Sequence, residues 1–509
     1  MSDTIYIKVL LPVNLDWMPT YSLPLGVEVR KGDRVKVRFA RKDYIGVVYS
    51  FDESPRQCKG NIIPIDGLAD IPAVTPEELE LWEFVSRYYL CPLGEVCKAA
   101  SPACVLDETP APTAKALLGS SIPELPGQRM SDVQKSAVRE ILEAFDGRQN
   151  VLLCAGKSRE KIFLELSRRT IESGKDVLIL RPAIGKTDME IPALYYCPAV
   201  SSAQRRNAVF KIRNCGPVMV VGEASAVLLP FRNLGLVIVD DEFSTAYKQT
   251  FHPPFFNARD VACVLARIWN SNLLLCAGTP SLESEYNCAA GKLHKVSLAE
   301  IQGNDTSMNC CEIIDISKER TKNGMIGNFS RIALSRMGET LDKRGRILLL
   351  QPWKDTSDIE IEARKHFPSA KTGINSLPLW EAGSKELGKY SLVVFCNVDY
   401  LLSRQDFRAD EYAFRQLERL KLCCRNLLVQ TGESSHYIFN GAKALDIMLS
   451  QRKDFSLPPF SREVKIKTKD ECKSHFLPKD STLESRKMEL LRNAPRGAVI
   501  DVDPVGLKF

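Results

Sequence analysis

Eight short apolar runs dominate this chain: NVLLCAG, DVLILRP, PVMVVG, LGLVIVDD and NLLLCAGTP, then RILLLQP, KYSLVVFCNVD and NLLVQTG. They are near-continuous rather than alternating, which leaves neither face of such a strand for water. Helical stretches separate them, among them SDVQKSAVREILEAF and KIFLELSRRTIESG. Fully apolar strands alternating with helices predict a parallel sheet covered on both faces. The runs fall into two sets, so two α/β lobes are expected, at 129–299 and 329–466, with the polar stretch 300–328 as a linker.

The flanks have a different texture. Residues 1–66 alternate β-rich runs (YIKVLLPV, YSLPLG, RVKVRFA, YIGVVYSF) with turns at Gly26, Gly32 and Gly46, the pattern of a small barrel-like β-domain. Residues 67–104 contain TPEELELWEFVSRYYLCPLGEVCKAA, with Thr75 as N-cap and Glu78 three positions on, which suits a small helical or winged module. Residues 105–128, rich in Pro, Ala, Ser and Thr, read as a linker, and 467–509 remain as a short C-terminal domain. With 509 residues and a 44% hydrophobic composition, the chain can bury several cores.

A net charge of +6 does not by itself select a partner, but its distribution is uneven. Arg30 to Lys42 (RKGDRVKVRFARK) holds seven basic residues and one acidic, equal in net charge to the whole chain. Such a run is either a solvated strand face or a patch that contacts phosphates. Residues 1–15 lack the pattern of a secretory signal, and no apolar stretch is long enough to span a membrane, so a cytoplasmic protein is expected. The sixteen cysteines include no C-x-x-C; they read as small buried hydrophobes in a reducing compartment. The adjacent pairs Cys310–Cys311 and Cys423–Cys424 are poorly spaced for one tetrahedral zinc.

The stretch VIVDDEFSTAYKQ, Val237 to Gln249, reads as a buried strand ending in a carboxylate cluster. In nucleotide-driven motors such a cluster holds Mg²⁺ and aims a water at the γ-phosphate. With PPFFNARDVACVLAR, AGTPSLES and the upstream VVGEASAVLLPFRNLGL, it resembles the bacterial primosomal replication-restart DNA helicase family, PriA. The resemblance continues through VLLPV, Tyr44-Ile45-Gly46-Val47-Val48, WEFVSRYYLCPLGEV, DYLLSRQDFRADEYAF, SLPPFSREVKI and the closing IDVDP. It implies an α/β multidomain protein: a 3′-end-binding β-domain, a winged-helix linker domain, two RecA-like lobes of a superfamily-2 helicase core and a short C-terminal domain. It also implies ATP and Mg²⁺ as cofactors of a working motor, and forked DNA with nascent 3′ ends as ligand. Other primosome proteins and single-stranded DNA-binding protein are the implied partners.

The same resemblance exposes departures. A phosphate loop needs a leading Gly, four residues, then G-K-[ST]. Here Gly156, Lys157 and Ser158 are present, but Val151 stands where the leading glycine belongs. In the register without a gap, the lysine becomes Arg159 and the hydroxyl residue becomes Glu160, which would repel the phosphates. Asp240 takes the Mg²⁺-holding place, the shorter Asp241 replaces the water-polarising Glu, Glu242 matches, and Phe243 replaces a His. Carboxylates that only cap a strand are the competing reading. Gln134 stands where the family reads adenine, against the alternative of a solvated helix residue. The arginine-finger segment, which would stabilise transferring phosphoryl charge, is missing; Arg419 and Arg425 are the nearest arginines, and Arg408 is expected to pair with neighbouring acids. RILLLQPWKDTSD runs straight to IEIEARKHFPSA where the family inserts a zinc module, so zinc is not expected. The resulting expectation is a vestigial nucleotide set (Gln134, Gly156, Lys157, Ser158) and a vestigial catalytic set (Asp240, Asp241, Glu242). The alternatives are an active ATP-dependent 3′–5′ helicase and a non-catalytic scaffold.

The DNA-end module matches better. Where the family has an F-[DT]-Y turn for the 3′-hydroxyl, this chain has Pro19-Thr20-Tyr21. Tyr21 either stacks on a terminal base, a contact worth ~1–3 kcal/mol, or is a core aromatic. Thr20, Tyr21, Arg34, Lys36, Arg38, Arg41 and Lys42 form the expected DNA-binding set, giving salt-dependent affinity for backbone phosphates rather than sequence reading.

Overall fold

The computed structural model describes residues 5–52, 62–106, 129–156, 159–185, 189, 191–298, 310–369, 372–379, 381–382 and 387–505. Its N-terminal sheet is antiparallel. It has five strands: β1 (Tyr6–Leu10), β2 (Thr20–Ser22), β3 (Arg34–Phe39), β4 (Lys42–Asp52) and β5 (Gly67–Leu68), in the order β2-β1-β4-β3-β5. Alternation along the strands points Ile7, Val9, Val35, Val37 and Val48 into one small core, completed by Leu11, Val29 and Ile65. The β3–β4 hairpin closes on Ala40 and Arg41, both in the left-handed region at φ +48° and +66°, with Phe39 opposite Lys42 as the last pair.

The helices Pro76–Tyr89 and Leu93–Ala100 follow. Thr75 caps the first through the expected reciprocal box with Glu78. A Cβ on Gly94 would lie 2.0 Å from the Val13 carbonyl oxygen, so only glycine lets this helix approach the N-terminal sheet. Trp82, Val85 and Val96 share a core with Val227, Phe231 and Val261 of the first lobe. Among the described residues, 67–104 contribute these two helices and β5, with no separate wing hairpin. Most of the expected linker, 107–128, lies outside the described residues.

The first lobe is a seven-stranded parallel sheet: β6 (Asn150–Cys154), β7 (Asp176–Leu180), β8 (Leu194–Tyr196), β9 (Met219–Gly222), β10 (Leu234–Asp240), β11 (Asn272–Ala277) and β12 (Leu293–Ser297). Their order is β12-β6-β11-β10-β7-β9-β8, and every pairing is parallel. The apolar runs fill its centre, with β7, β9 and β10 buried along their whole length.

The second lobe has its own parallel sheet. Its strands are β13 (Cys310–Asp315), β16 (Ile347–Gln351), β17 (Ile374–Pro378), β18 (Leu392–Phe395) and β19 (Asn426–Thr431), in the order β13-β19-β18-β16-β17; β14 (Met325–Ile326) and β15 (Phe329–Ser330) form a separate hairpin. This corrects the expected linker at 300–328. CCEIID is a strand paired in parallel with β19, and the helix Ile316–Lys322 follows it. Residues 299–309 lie outside the described residues. The C-terminal sheet, β20 (Ser461–Lys467), β21 (Cys472–Pro478) and β22 (Val499–Val502), is antiparallel in the order β21-β20-β22. The expected boundary at 466/467 therefore cuts through β20, whose true partners come later in the chain. The chain divides into two units: Met1–Pro280 with Asn287–Leu298 and Phe460–Val505, and Ser281–Tyr286 with Ala299–Pro459 and Gly506–Phe509. Among the described residues no helix is long and apolar enough to cross a membrane.

Candidate functional site

In open parallel sheets, ligands bind beyond the carboxyl ends of the strands. In the first lobe, β10 ends at Asp240, between β11 and β7. Asp240 is buried, and Asp241 follows at φ +48°, in a region that costs a non-glycine residue ~1–2 kcal/mol. Tyr247 holds this corner from below. It is fully buried, and its hydroxyl sits between the carbonyl of Leu180, 2.9 Å away, and that of Asp240.

A guanidinium occupies the carboxylates. Arg159 Nε lies 2.6 Å from Asp240 Oδ1, and its Nη2 lies 2.9 Å from Asp241 Oδ1. Arg159 Nη1 donates to the Gly156 carbonyl at 3.1 Å. Arg181 stands behind, 3.9 Å from Asp240 Oδ2 and 2.6 Å from Glu160 Oε1. Burial, then the neighbouring Asp241, outweigh the two arginines and push the Asp240 carboxyl up to about 6. Burial works against the Arg159 charge, but Asp240 and Asp241 more than offset it and hold the guanidinium protonated. The carboxyl and the guanidinium meet in a contact largely shielded from solvent.

The loop that should cradle phosphates is correspondingly short. Val151, at the position of the missing glycine, lies inside β6, paired with Leu274 and His294. Only residues 155–158 separate β6 from Arg159, which precedes the helix Glu160–Glu172. Gly156 is described; Lys157 and Ser158 lie outside the described residues. Arg159 and Glu160 thus stand at the helix start, as in the register without a gap. Gln134 is not a solvated helix residue. It is buried, and its side-chain oxygen accepts from the Ser131 amide at 2.9 Å while its own amide donates to Ser131 Oγ, a capping box. The acidic box does not suit a divalent ion as it stands: Asp240 and Asp241 share one tethered guanidinium, which takes the Oδ1 atom of each. The third, Glu242, is buried and bound by Arg259 at 3.2 Å, which also holds Asp260 at 2.8 Å. Sequence reading found the carboxylates but not Arg181 or Arg259 as their partners. Arg159 was visible only as a failed lysine.

Lys248, next to Tyr247, points away from this site. Its buried ammonium donates to the Val502 carbonyl at 2.6 Å and pairs with Asp501 at 2.7 Å, tying β22 to the first lobe. In the second lobe, Arg419 donates to the carbonyls of Ala382 and Leu379, and Arg408 lies over the Phe407 ring. Of the neighbouring acids, Asp406 accepts from the Arg408 backbone amide at 2.9 Å, Asp410 accepts from Tyr437, and Glu411 pairs with Arg415 and Arg452.

The N-terminal basic residues divide by what covers them. Arg34, Lys36 and Arg38 share one face of β3, opposite the core-facing Val35 and Val37. At the Arg34 end the face is roofed: Arg34 is 2% exposed and donates to the Pro72 carbonyl and to Ser101 Oγ, both at 3.3 Å. This corrects its expected place among the phosphate contacts, since its guanidinium is sealed under the following segment. Lys36, Arg38, Arg41 and Lys42 are exposed, with Arg38 3.9 Å from Asp43. Tyr21 is also corrected. It is 2% exposed, part of the sheet's core, and its hydroxyl donates to the Arg38 carbonyl at 3.2 Å, so its ring offers no face to a base. Thr20 is half-buried, its hydroxyl 3.5 Å from Asp52.

Comparison with known proteins adds family evidence. Residues 8–102 match the 3′ DNA-binding domain family of PriA. Replication restart protein PriA of Rickettsia felis is 30% identical over 354 residues, covering 67% of this chain and 53% of that protein. The protein of the same name from Chlamydia pneumoniae is 24% identical over 438 residues, covering 68% and 58%. The chain thus spans about half the length of the curated relatives it matches. Among solved structures, RecG bound to a three-way DNA junction has a TM-score of 0.40 at 12% identity, covering 81% of this chain and 56% of that one.

Proposed function

The chain is a divergent relative of the replication restart protein PriA, and from that premise we propose that it binds branched DNA or nascent 3′ ends during replication restart without turning over ATP. The observation that carries the second half is the Arg159 guanidinium seated on Asp240 and Asp241. A motor of this kind needs those carboxylates for a divalent ion, and hydrolysis needs that ion to bridge phosphate oxygens. A tethered guanidinium supplies the charge but neither the open coordination positions nor a bound water. The match over residues 8–102 and the exposed Lys36, Arg38, Arg41 and Lys42 support the first half. In this reading the protein is cytoplasmic, and other primosome proteins and single-stranded DNA-binding protein are its partners.

The test is a calorimetric titration with ATP·Mg²⁺ beside an anisotropy assay on forks with free and blocked 3′ ends. Fork binding that weakens on blocking, with no nucleotide heat, is expected. Brisk DNA-stimulated ATP hydrolysis that disappears in Asp240→Asn would overturn the silent-motor reading; absence of fork binding would leave only a scaffold.

A further inference from the structure

With Tyr21 buried, the N-terminal sheet needs another aromatic if it is to hold an unstacked base. Trp17 is 45% exposed, and its ring meets Phe39 edge-on, centroids 6.2 Å apart and planes at 65°. Phe39 closes β3, and Lys42 lies directly across from it. Cross-strand partners point to the same face, so the exposed Lys42 leaves the sheet on the Phe39 side. Arg41 forms the exposed hairpin tip one residue away. That tip is a two-residue turn with both central residues at positive φ, a conformation that normally selects Asn-Gly. Here it holds Ala40 and the basic Arg41 instead. An exposed indole braced by a second ring and flanked by cations matches what single strands require: a π face for a base and charge for the adjoining phosphates.

We propose that Trp17, braced by Phe39, is the stacking platform for an unpaired terminal base, with Arg41 and Lys42 holding the phosphates that lead to it. This rests on the DNA-end reading above and names the residues that carry it. It assigns stacking to an indole outside the Pro19-Thr20-Tyr21 turn, on the same open end of the sheet as the hairpin tip.

The probe is a fork whose free 3′ strand ends in 2-aminopurine, titrated with the full chain. Stacking on the indole quenches the analogue, so wild-type protein should quench it on binding. Trp17→Ala should weaken binding about thirtyfold, the middle of the range for losing one base–aromatic stack, and should abolish the quench. Trp17→Phe should retain most of both and serves as the folding control. Arg41→Ala/Lys42→Ala should weaken binding and reduce its salt slope while the remaining complex still quenches. If Trp17→Ala binds and quenches like wild type while the double basic variant weakens, the platform is wrong and the DNA-end reading survives. If neither variant changes binding, the DNA-end reading fails as well.

Discussion

Replacing Arg159 with Met tests the occupied acidic box directly. Methionine keeps most of the side-chain volume and removes the charge. Arg159 and Asp240 are 20% and 12% exposed in their side chains and in contact at 2.6 Å, so the pair is largely shielded from solvent. Removing one partner of such a pair costs ~3–5 kcal/mol, because the other charge stays buried. Two features reduce that figure here: Arg181 stands 3.9 Å from the second Asp240 oxygen, and Asp241 is 37% exposed and can be solvated. A destabilisation of about 2–3 kcal/mol at pH 8 is expected, which corresponds to a melting temperature lower by ~3–4 °C for a unit of this size. The penalty should shrink with acidity. In the wild type the Asp240 carboxyl already sits at about 6, and without Arg159 it rises further. A protonated Asp240 needs no cation, so at pH 5 the variant should approach the wild type. Calorimetric melting at both pH values reads this out, and Arg159→Met/Asp240→Asn should recover most of the stability at pH 8. Equal stability of Arg159→Met and wild type at pH 8, or a penalty unchanged at pH 5, would refute the ion-pair account.

Four further outcomes follow from the same structure. The raised Asp240 carboxyl makes wild-type stability fall as pH rises from about 4 to about 6, because the folded state holds a proton that the unfolded aspartate has released; Asp240→Asn should flatten that part of the pH–stability curve. Tyr247→Phe removes a buried hydroxyl from between two carbonyls and should cost ~1–3 kcal/mol in urea unfolding. Lys248→Met should leave the first-lobe sheet intact but raise hydrogen exchange at residues 499–502, since β22 loses its ammonium anchor. Arg34→Ala should lower stability without altering the salt slope of fork binding, whereas Lys36→Ala/Arg38→Ala should reduce that slope by up to about two, roughly one for each phosphate left without its cation.

Much of the molecule was legible in local pattern. Runs such as LGLVIVD and DVLIL have no polar face, and a strand of that kind has few places to go except the middle of a covered parallel sheet, which is where β10 and β7 lie. The absence of the leading glycine at Val151 was equally plain, because a phosphate loop has a fixed spacing and the shortfall can be counted. Short or half-buried strands were harder: CCEIID belongs to a sheet only through β19, more than a hundred residues away, and no feature within six residues announces that pairing.

Charge and exposure were decided by tertiary structure. Alternation in β3 puts Arg34, Lys36 and Arg38 on one face, but it cannot say that residues 72 and 101 roof one end of that face and leave the other open. Tyr21 and Trp17 are both aromatic and four residues apart; one fills a core and the other meets solvent because of neighbours contributed by other strands. Arg159, Asp240 and Asp241 are each readable in the chain, and their contact is not. An ion pair depends on a few ångströms between residues eighty positions apart, so the sequence could name the charges and only the fold could join them.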